Sequence, residues 1–463
     1  MTATDADGAG ELAIVLHSHQ PYVEGFDTWP FGEEWLWESI ATSYLPLLEI
    51  LDAGAPVTLS LTPVLCDQLE APGALDRCAE FLGGIRVESH ARDVAAAAGE
   101  PGVVAALEHS AAAYERSRER LAELGGDLLG ALGRHAVWTS SATHAVLPLL
   151  ASDAGVRLQL RAGIASHRRR FGAWSGGLWL PECGYARWLD PLLDEAGVRA
   201  VCVDLTDVLD DAAGHLHPLR SAAGPLLVPI DRATIDLVWS DGGYPGDAAY
   251  RSYHAFTRYR HRAWSNDGEP YDPERGRDAT RRHAADFVAR TRERVVGGGL
   301  AVFAVDTELL GDWWHEGPAW LAAVLAEART QGLRVAPLDE ALKRHPPARA
   351  PADLPVTSWG NPRDLTTWSG PPVADMAWSA RDAELRALAA GSRIDARAVR
   401  ELLALQSSDW AFLVSRDLAE PYGRKRALGH RAAFDAALAA PGTLDGALRN
   451  LARDATPAAL LEP

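Results

Sequence analysis

Two carboxylates, each closing an apolar run, are the side chains in this sequence best suited to carry out a reaction. Glu182 follows Trp179–Pro181, and Asp306 follows Ala301–Val305. A charged group at the end of such a run is costly to hold unless it is solvated or paired. Cleavage of a glycosidic bond needs one ionised and one protonated carboxyl group, so the pair predicts sugar chemistry. Structural carboxylates at strand ends are the alternative.

Three histidines add polar groups to the same predicted region. His17 and His19 end the first apolar run, and a period of two places them on one face of a strand. We prefer hydrogen bonding to a polar substrate as their role. A packed histidine with a satisfied ring is the second interpretation. A metal site completed by His144 and Asp306 is the third, because such a site needs further ligands at neighbouring strand ends.

A loop rich in glycine carries one aromatic ring. Asp241–Asp247 brackets Tyr244 with glycines and a proline, which places the ring at the tip of the loop. An ordinary turn is the alternative, but the aromatic stretch Tyr253–Trp264 that follows indicates more than a turn. Glu308 shares a strand face with Asp306 and is expected to support it or to bind substrate.

Short apolar runs alternate with helical stretches over the first three quarters of the chain. The predicted strands are Leu12–His19, Val57–Leu65, Ala136–His144, Gly177–Tyr185, Val198–Asp207, Leu226–Ser240 (one strand or two), Leu300–Leu309 and Arg334–Leu338. Predicted helices include Tyr44–Ala53, Leu147–Ala154 and Asp278–Val295. Continuous apolar runs are typical of parallel strands buried on both faces. Polar residues collect at the ends of these runs, which favours a barrel over an open sheet.

Two segments interrupt or follow this pattern. Residues 1–345 are predicted to form the barrel domain. Within it, residues Ala91–Arg134 predict a helical insertion. The proline-rich stretch His345–Ser358 predicts a linker. Residues 346–463 then comprise this linker and an α-helical C-terminal domain, with helices at Ala383–Ala390, Asp395–Arg416, Gly423–Ala439 and Leu444–Arg453.

Composition limits the class of protein. The chain has 463 residues, 47% of them hydrophobic and 23% charged, as in ordinary globular proteins. A net charge of −18 argues against a nucleic-acid partner. The four cysteines form no C-x-x-C pair, and no apolar run approaches the ~20 residues that span a bilayer. We expect reduced thiols, no membrane partner and a cytoplasmic location.

Five segments, in chain order, resemble the motifs of glycoside hydrolase family 57. They are His17–Tyr22, Thr139–His144, Trp179–Tyr185, Val305–Trp314 and Gln406–Trp410. The resemblance implies an α/β fold, an incomplete (β/α)₇ barrel followed by an α-helical C-terminal domain. It implies Glu182 as nucleophile and Asp306 as acid/base, with no metal and no cofactor. The substrate-binding residues that it implies are His17, His19, His144, Tyr244, Trp313, Trp314 and Trp410.

Within that family, the loop around Tyr244 is similar to the catalytic loop of the 1,4-α-glucan branching enzymes. The resemblance implies that Tyr244 closes over the site and favours transfer over hydrolysis, and that Trp410 forms part of an acceptor-side gate. One departure stands out, because Asp312 occupies the position of a family histidine. We expect this change to alter acceptor binding.

The predicted function is therefore a retaining 1,4-α-glucan branching enzyme acting on an α-glucan polysaccharide or maltooligosaccharide. A hydrolase or 4-α-glucanotransferase of the same family is the nearest alternative. A metal-dependent barrel hydrolase using His17, His19 and Asp306 is a second alternative, and a non-catalytic glucan-binding protein is a third.

Overall fold

A curled sheet at the centre of the molecule positions the strand ends. The computed structural model describes residues 10–28, 31–209, 213–442 and 448–461. Its strands are β1 (Glu11–Ser18), β2 (Thr58–Leu61), β3 (Ala136–Ser140), β4 (Gly177–Trp179), β5 (Ala200–Val203), β6 (Leu219–Arg220), β7 (Leu226–Pro229), β8 (Leu300–Asp306), β9 (Arg334–Val335) and β10 (Ala348–Arg349).

The strand order confirms a barrel-like α/β fold. It runs β10-β6-β7-β5-β4-β3-β2-β1-β8, with β9 also pairing with β1. From β7 to β8 this path contains seven mutually parallel strands. Every residue of β1 is buried, as expected for a strand covered on both faces. The backbone N–H of Asp231, just after β7, donates to the carbonyl of Val302 in β8 at 2.8 Å, so the sheet curls almost closed.

Helices cover the sheet and form the C-terminal region. They are α1 (Glu33–Ser39), α2 (Leu45–Asp52), α3 (Pro63–Leu69), α4 (Ala74–Glu80), α5 (Arg86–Ala96), α6 (Pro101–Glu123), α7 (Leu128–Gly133), α8 (Asp153–Phe171), α9 (Asp190–Glu195), α10 (Arg232–Trp239), α11 (Pro273–Arg294), α12 (Gly317–Gln331), α13 (Leu338–Ala341), α14 (Thr366–Ser369), α15 (Ala374–Ala390), α16 (Ala396–Leu405), α17 (Ser408–Ser415), α18 (Tyr422–Ala439) and α19 (Pro457–Leu461). Within the described residues, no helix has the length and apolar character needed to cross a membrane.

Several predicted elements differ from the structure. The strand expected through Ser240 ends at Pro229, and α10 follows, burying Ile235 and Val238 one helical turn apart. The helix predicted from Leu147 begins only at Asp153, because Ser152 caps it by accepting from the backbone N–H of Gly155. The helical insertion is longer than expected, since α3 to α7 all lie between β2 and β3.

The C-terminal prediction is also refined. The single helix expected over Asp395–Arg416 is interrupted at residues 406–407, between α16 and α17. Of the helix expected at Leu444–Arg453, residues 444–447 lie outside the described residues, and residues 448–453 are not helical, with a turn from residue 451 onward.

The proline-rich stretch predicted as a linker packs against the barrel. Strand β10 pairs with β6, and Thr357 exchanges backbone hydrogen bonds with Tyr185 at 2.8 and 3.0 Å. This stretch therefore belongs to the barrel edge. The division of the chain at residue 345 stays a prediction.

A buried carboxylate ties the helical region to the barrel. Glu384, on α15, is 0% exposed. It accepts hydrogen bonds from the backbone N–H of Ala151 (3.0 Å), from the hydroxyl of Ser152, and from the side-chain amide of Gln406 (2.9 Å). Gly155 leaves room for it, since a Cβ there would lie 2.3 Å from a Glu384 oxygen.

Glu384→Ala is expected to lower the free energy of unfolding by about 3 kcal/mol, because three donors lose the buried carboxylate that accepts their hydrogen bonds. Denaturation followed by tryptophan fluorescence measures this change. Asp382→Ala is the matched control on the same helix. Its ion pairs with Arg386 and Arg431 lie at the surface, where such pairs contribute less than about 1 kcal/mol. Equal losses in the two variants would show that Glu384 does not join the two regions.

Candidate active site

The carboxyl ends of four parallel strands bring the predicted polar residues to one end of the barrel. His17 lies in β1, and His144, Glu182 and Asp306 lie at or just beyond the ends of β3, β4 and β8. His17 and Asp306 are register partners on adjacent strands. The structure thus brings the backbone positions of these four residues to one end of the barrel.

Glu182 is held in an unusual backbone conformation. Its φ is 62°, in the left-handed region, where residues other than glycine are uncommon. Such strain persists where the surroundings enforce it, and it concentrates at functional sites. Trp359 supplies two of the restraints: its backbone N–H donates to the Glu182 carbonyl and its indole N–H donates to Oε2, both at 2.9 Å. The Glu182 side chain remains 13% exposed.

Three histidine rings are stacked beside Glu182. The rings of His19 and His144 are 3.9 Å apart, and His17 stacks on Trp179 at 4.5 Å. Nε2 of His17 and Nε2 of His144 are hydrogen-bonded at 3.0 Å. Nδ1 of His144 lies 2.9 Å from the Ser408 hydroxyl and 3.7 Å from Glu182 Oε1. The stack therefore links β1 and β3 to the carboxylate after β4.

His19 does not have the free nitrogen that a substrate-binding role requires. Its Nε2 pairs with Asp409 Oδ1 at 2.9 Å, and its Nδ1 lies 3.3 Å from the Thr62 hydroxyl. Its backbone N–H donates to Glu308 at 3.0 Å. This corrects the predicted hydrogen bonding of His19 to substrate, because protein groups already occupy both ring nitrogens.

The arrangement also fails to provide the metal ligands that the alternative interpretation needs. His17 uses its two ring nitrogens for Ser60 (3.3 Å) and His144. His19 uses both of its own, as described above. Among the described residues, no group of three or more His, Cys, Asp or Glu side chains is arranged to hold a metal ion.

The carboxyl groups differ in how strongly their surroundings favour the protonated form. Burial, reinforced by the charges of Glu308, Glu182 and Asp409, raises the pKa of Asp306 well above its ordinary value. Burial also raises the pKa of Glu182, but hydrogen bonds from Trp359 and Ser408 oppose that shift. Burial raises the pKa of Glu308 to about 7 against a hydrogen bond from Tyr44. Asp306 is thus the group best suited to keep a proton at neutral pH.

The three histidines also differ in the direction of their pKa shifts. Burial, together with the charge of His19, lowers the pKa values of His17 and His144 well below the ordinary value. Burial would also lower the pKa of His19, but the carboxylates of Asp409, Glu308 and Glu182 together outweigh burial and raise that pKa. The stack therefore contains two neutral rings and one that favours its protonated form.

Tyr244 and Trp313 lie in different settings from the strand-end cluster. The Tyr244 hydroxyl donates to Asp286 on α11 at 2.7 Å, and its ring stacks on His283 at 4.6 Å. Trp313 donates its backbone N–H to the Glu308 carbonyl at 3.2 Å and forms a partly exposed pair with Trp239, 5.5 Å between rings. Trp313 thus keeps an open aromatic face, whereas Tyr244 is held by α11.

Two tryptophans predicted to bind substrate are core residues in this structure. Trp314 is 1% exposed and packs against Tyr250 and Trp320. Trp410 is also 1% exposed, and its indole N–H donates to the carbonyl of Ala404 at 2.7 Å. Their predicted contact with substrate is corrected, because neither ring presents a face on which a sugar could stack.

Asp312 is held in place by hydrogen bonds to Ser39, Ser43 and Arg262. Its backbone N–H donates to the Ser43 hydroxyl at 3.1 Å, and its carbonyl accepts from Arg262 at 2.5 Å. The Ser39 hydroxyl donates to its carboxylate at 3.3 Å. Burial raises the pKa of Asp312 to about 6.

Sequence reasoning missed four residues that hold the site together. They are Tyr44, Trp359, Ser408 and Asp409. Trp359 follows the stretch predicted as a linker. Ser408 and Asp409 lie inside the motif that ends at Trp410. The polar residues of that motif could therefore have been predicted to lie at the site.

Comparison with known proteins identifies the family. The profile described as glycosyl hydrolase family 57 matches residues 13–353, and the profile of the 1,4-alpha-glucan branching enzyme C-terminal region matches residues 374–454. The first match covers more than half of the chain, so this protein belongs to glycosyl hydrolase family 57. The second match covers the helical region that contributes Ser408 and Asp409.

Two relatives extend over almost the whole chain. A probable 1,4-alpha-glucan branching enzyme of Mycobacterium tuberculosis is 32% identical, and the match covers 91% of this chain and 90% of that protein. A 1,4-alpha-glucan branching enzyme of Thermococcus kodakarensis is 30% identical, and the match covers 92% of this chain and 73% of that protein. The crystal structure of the GH57-type branching enzyme of Pyrococcus horikoshii has a TM-score of 0.89 at 28% identity, covering 98% of this chain and 97% of that one. These matches confirm the predicted fold class.

Proposed function

We propose that this family 57 enzyme is a retaining 1,4-α-glucan branching enzyme, with Glu182 as nucleophile and Asp306 as acid/base. The observation that carries the proposal is the contrast between the two carboxyl groups. Glu182 receives hydrogen bonds that favour its ionised form, whereas three neighbouring carboxylates disfavour ionisation of Asp306. Environments that separate two pKa values in this way define an acid and a nucleophile.

The reaction then has two steps. Glu182 attacks the anomeric carbon of an α-1,4 linkage while Asp306 donates its proton to the leaving oxygen, giving a covalent glucosyl-enzyme. Asp306 next removes the proton from the 6-hydroxyl of an acceptor glucan. That oxygen displaces Glu182 from the anomeric carbon and forms an α-1,6 branch. Retention by this route predicts carboxyl groups about 5–5.5 Å apart.

Other residues would bind the glucan and exclude water. His17 and His144 would hold the histidine stack in place beside Glu182, since their ring nitrogens pair with Ser60, with Ser408 and with each other. Trp313, paired with Trp239, offers an open aromatic face of the kind on which a sugar ring stacks. Tyr244 would leave Asp286 and close over the site, so that the intermediate waits for a hydroxyl acceptor in place of water.

The natural substrate and location complete the proposal. We propose a glycogen-type glucan, because its α-1,6 branches are the product of this reaction. All four cysteines are buried free thiols, which fits a reducing compartment such as the cytoplasm.

Linkage analysis of amylose treated with the pure protein tests the function. New α-1,6 linkages are expected, and Glu182→Gln should reduce their formation by on the order of a thousand-fold or more, because an amide cannot act as the nucleophile. Glu49→Gln, the same chemical change at an exposed site, is the control. Free reducing ends alone would indicate a hydrolase, and disproportionated linear chains a 4-α-glucanotransferase. Tight binding of maltooligosaccharide without turnover would indicate a binding protein.

Trp359→Phe tests the environment of Glu182. Phenylalanine keeps a ring but removes the indole N–H, which stabilises the ionised carboxylate, so the pKa of Glu182 should rise. The acidic limb of the pH profile of kcat/KM should then move to higher pH by about one unit. Trp174→Phe is the control, since its indole N–H donates to the carbonyl of Gly177 at 2.9 Å and not to a carboxylate. If the acidic limb is unchanged in Trp359→Phe, the ionisation of Glu182 does not determine that limb.

A further inference from the structure

Asp409 is a carboxylate of the helical region that reaches the barrel. It stands in the first turn of α17 and is 8% exposed. Its Oδ1 pairs with Nε2 of His19 at 2.9 Å, and its Oδ2 accepts a hydrogen bond from the Ser407 hydroxyl. Both oxygens of this buried group therefore have a partner, and one of the partners is a strand-end histidine 390 residues away.

His19 faces charged or titratable groups from every element around it. Glu308, after β8, accepts its backbone N–H, and Glu182, after β4, acts on its ring electrostatically. His17 lies 6.2 Å away on β1, and His144, after β3, stacks on it at 3.9 Å. With Asp409 from α17, three carboxylates and two neutral imidazoles surround this ring, so a positive charge on His19 offsets the excess of negative charge.

We infer that Asp409 is a positioning residue, which holds His19 as a fixed imidazolium beside the barrel-end carboxylates. The inference rests on the proposed function for its catalytic consequence. The cation attracts the charges of Glu182 and Glu308, and it disfavours a second charge on the stacked His144. Burial, together with this cation, keeps His144 neutral, and its Nδ1 pairs with Ser408 and its Nε2 with His17.

This assignment gives the helical region a part in the barrel chemistry. Ser408 and Asp409 contact His144 and His19, which are adjacent members of one stack. A displacement of α17 would therefore change the charge of the site as well as its shape. His19, whose nitrogens are unavailable to substrate, acts in this view through its charge.

Asp409→Asn provides the test, because it keeps the shape of the side chain and removes the charge. With that anion gone, burial dominates, and the pKa of His19 should fall by about 1 to 3 units. Carbon-13-labelled histidine NMR reports this pKa directly, with the His19 signal assigned by its loss in His19→Gln.

Two further variants separate charge from packing. Asp409→Glu retains the anion and should keep the pKa of His19 above that in Asp409→Asn, even if packing changes lower the stability of both. Ser415→Ala, on the same helix with its hydroxyl bonded to Phe412, should leave the pH profile unchanged. A His19 pKa that is equal in the wild type and in Asp409→Asn would overturn the inference.

The NMR titration does not depend on the proposed function. If the wild type produces no α-1,6 linkages, the branching assignment fails, while the pKa of His19 still decides whether Asp409 fixes its charge.

Discussion

Burial of charge at one end of the barrel is the constraint on which this site depends. Asp306, Glu182 and Glu308 share a space in which desolvation raises the pKa of each carboxyl group. Three ionised carboxylates cannot be held there without compensation. The structure compensates with a retained proton on Asp306, with donors on Glu182 and Glu308, and with the ion pair of His19 and Asp409. The chemical differences among the three acids follow from how each is compensated.

That compensation comes from parts of the chain that are far apart in sequence. The strand ends supply the acids and histidines, but Trp359 comes from the segment after the barrel and Asp409 from α17. The interface between the barrel and the helical region is therefore polar where it meets the site, and Glu384 shows the same pattern nearby. A buried carboxylate with all its donors in place specifies one docking geometry, since any shift leaves donors unsatisfied.

The sequence located most of the strands, but most of them end several residues earlier than predicted, and the site was predicted only in part. Strands β1 and β8 are continuous apolar runs that end in polar residues, so Asp306 could be located from pattern alone. The run after Leu226 is apolar on both sides of Asp231, and such a pattern does not separate strand from helix, which is why α10 was missed. Trp359 and Asp409 contact residues 177 and 390 positions away, and no local periodicity records such a contact.

The tryptophans show why residue type alone does not identify a sugar-binding face. Trp313 and Trp314 are neighbours, yet one is 37% exposed and the other 1%. Their backbone N–H groups donate to the carbonyls of Glu308 and Leu309 in one turn, so the two side chains leave that turn in different directions. The buried ring of Trp314 packs into the core and fixes the turn that keeps Trp313 open beside Glu308. Two adjacent tryptophans after an acidic residue can thus have different roles, one supporting the turn from the core and the other facing solvent. The fold determines which tryptophan has which role.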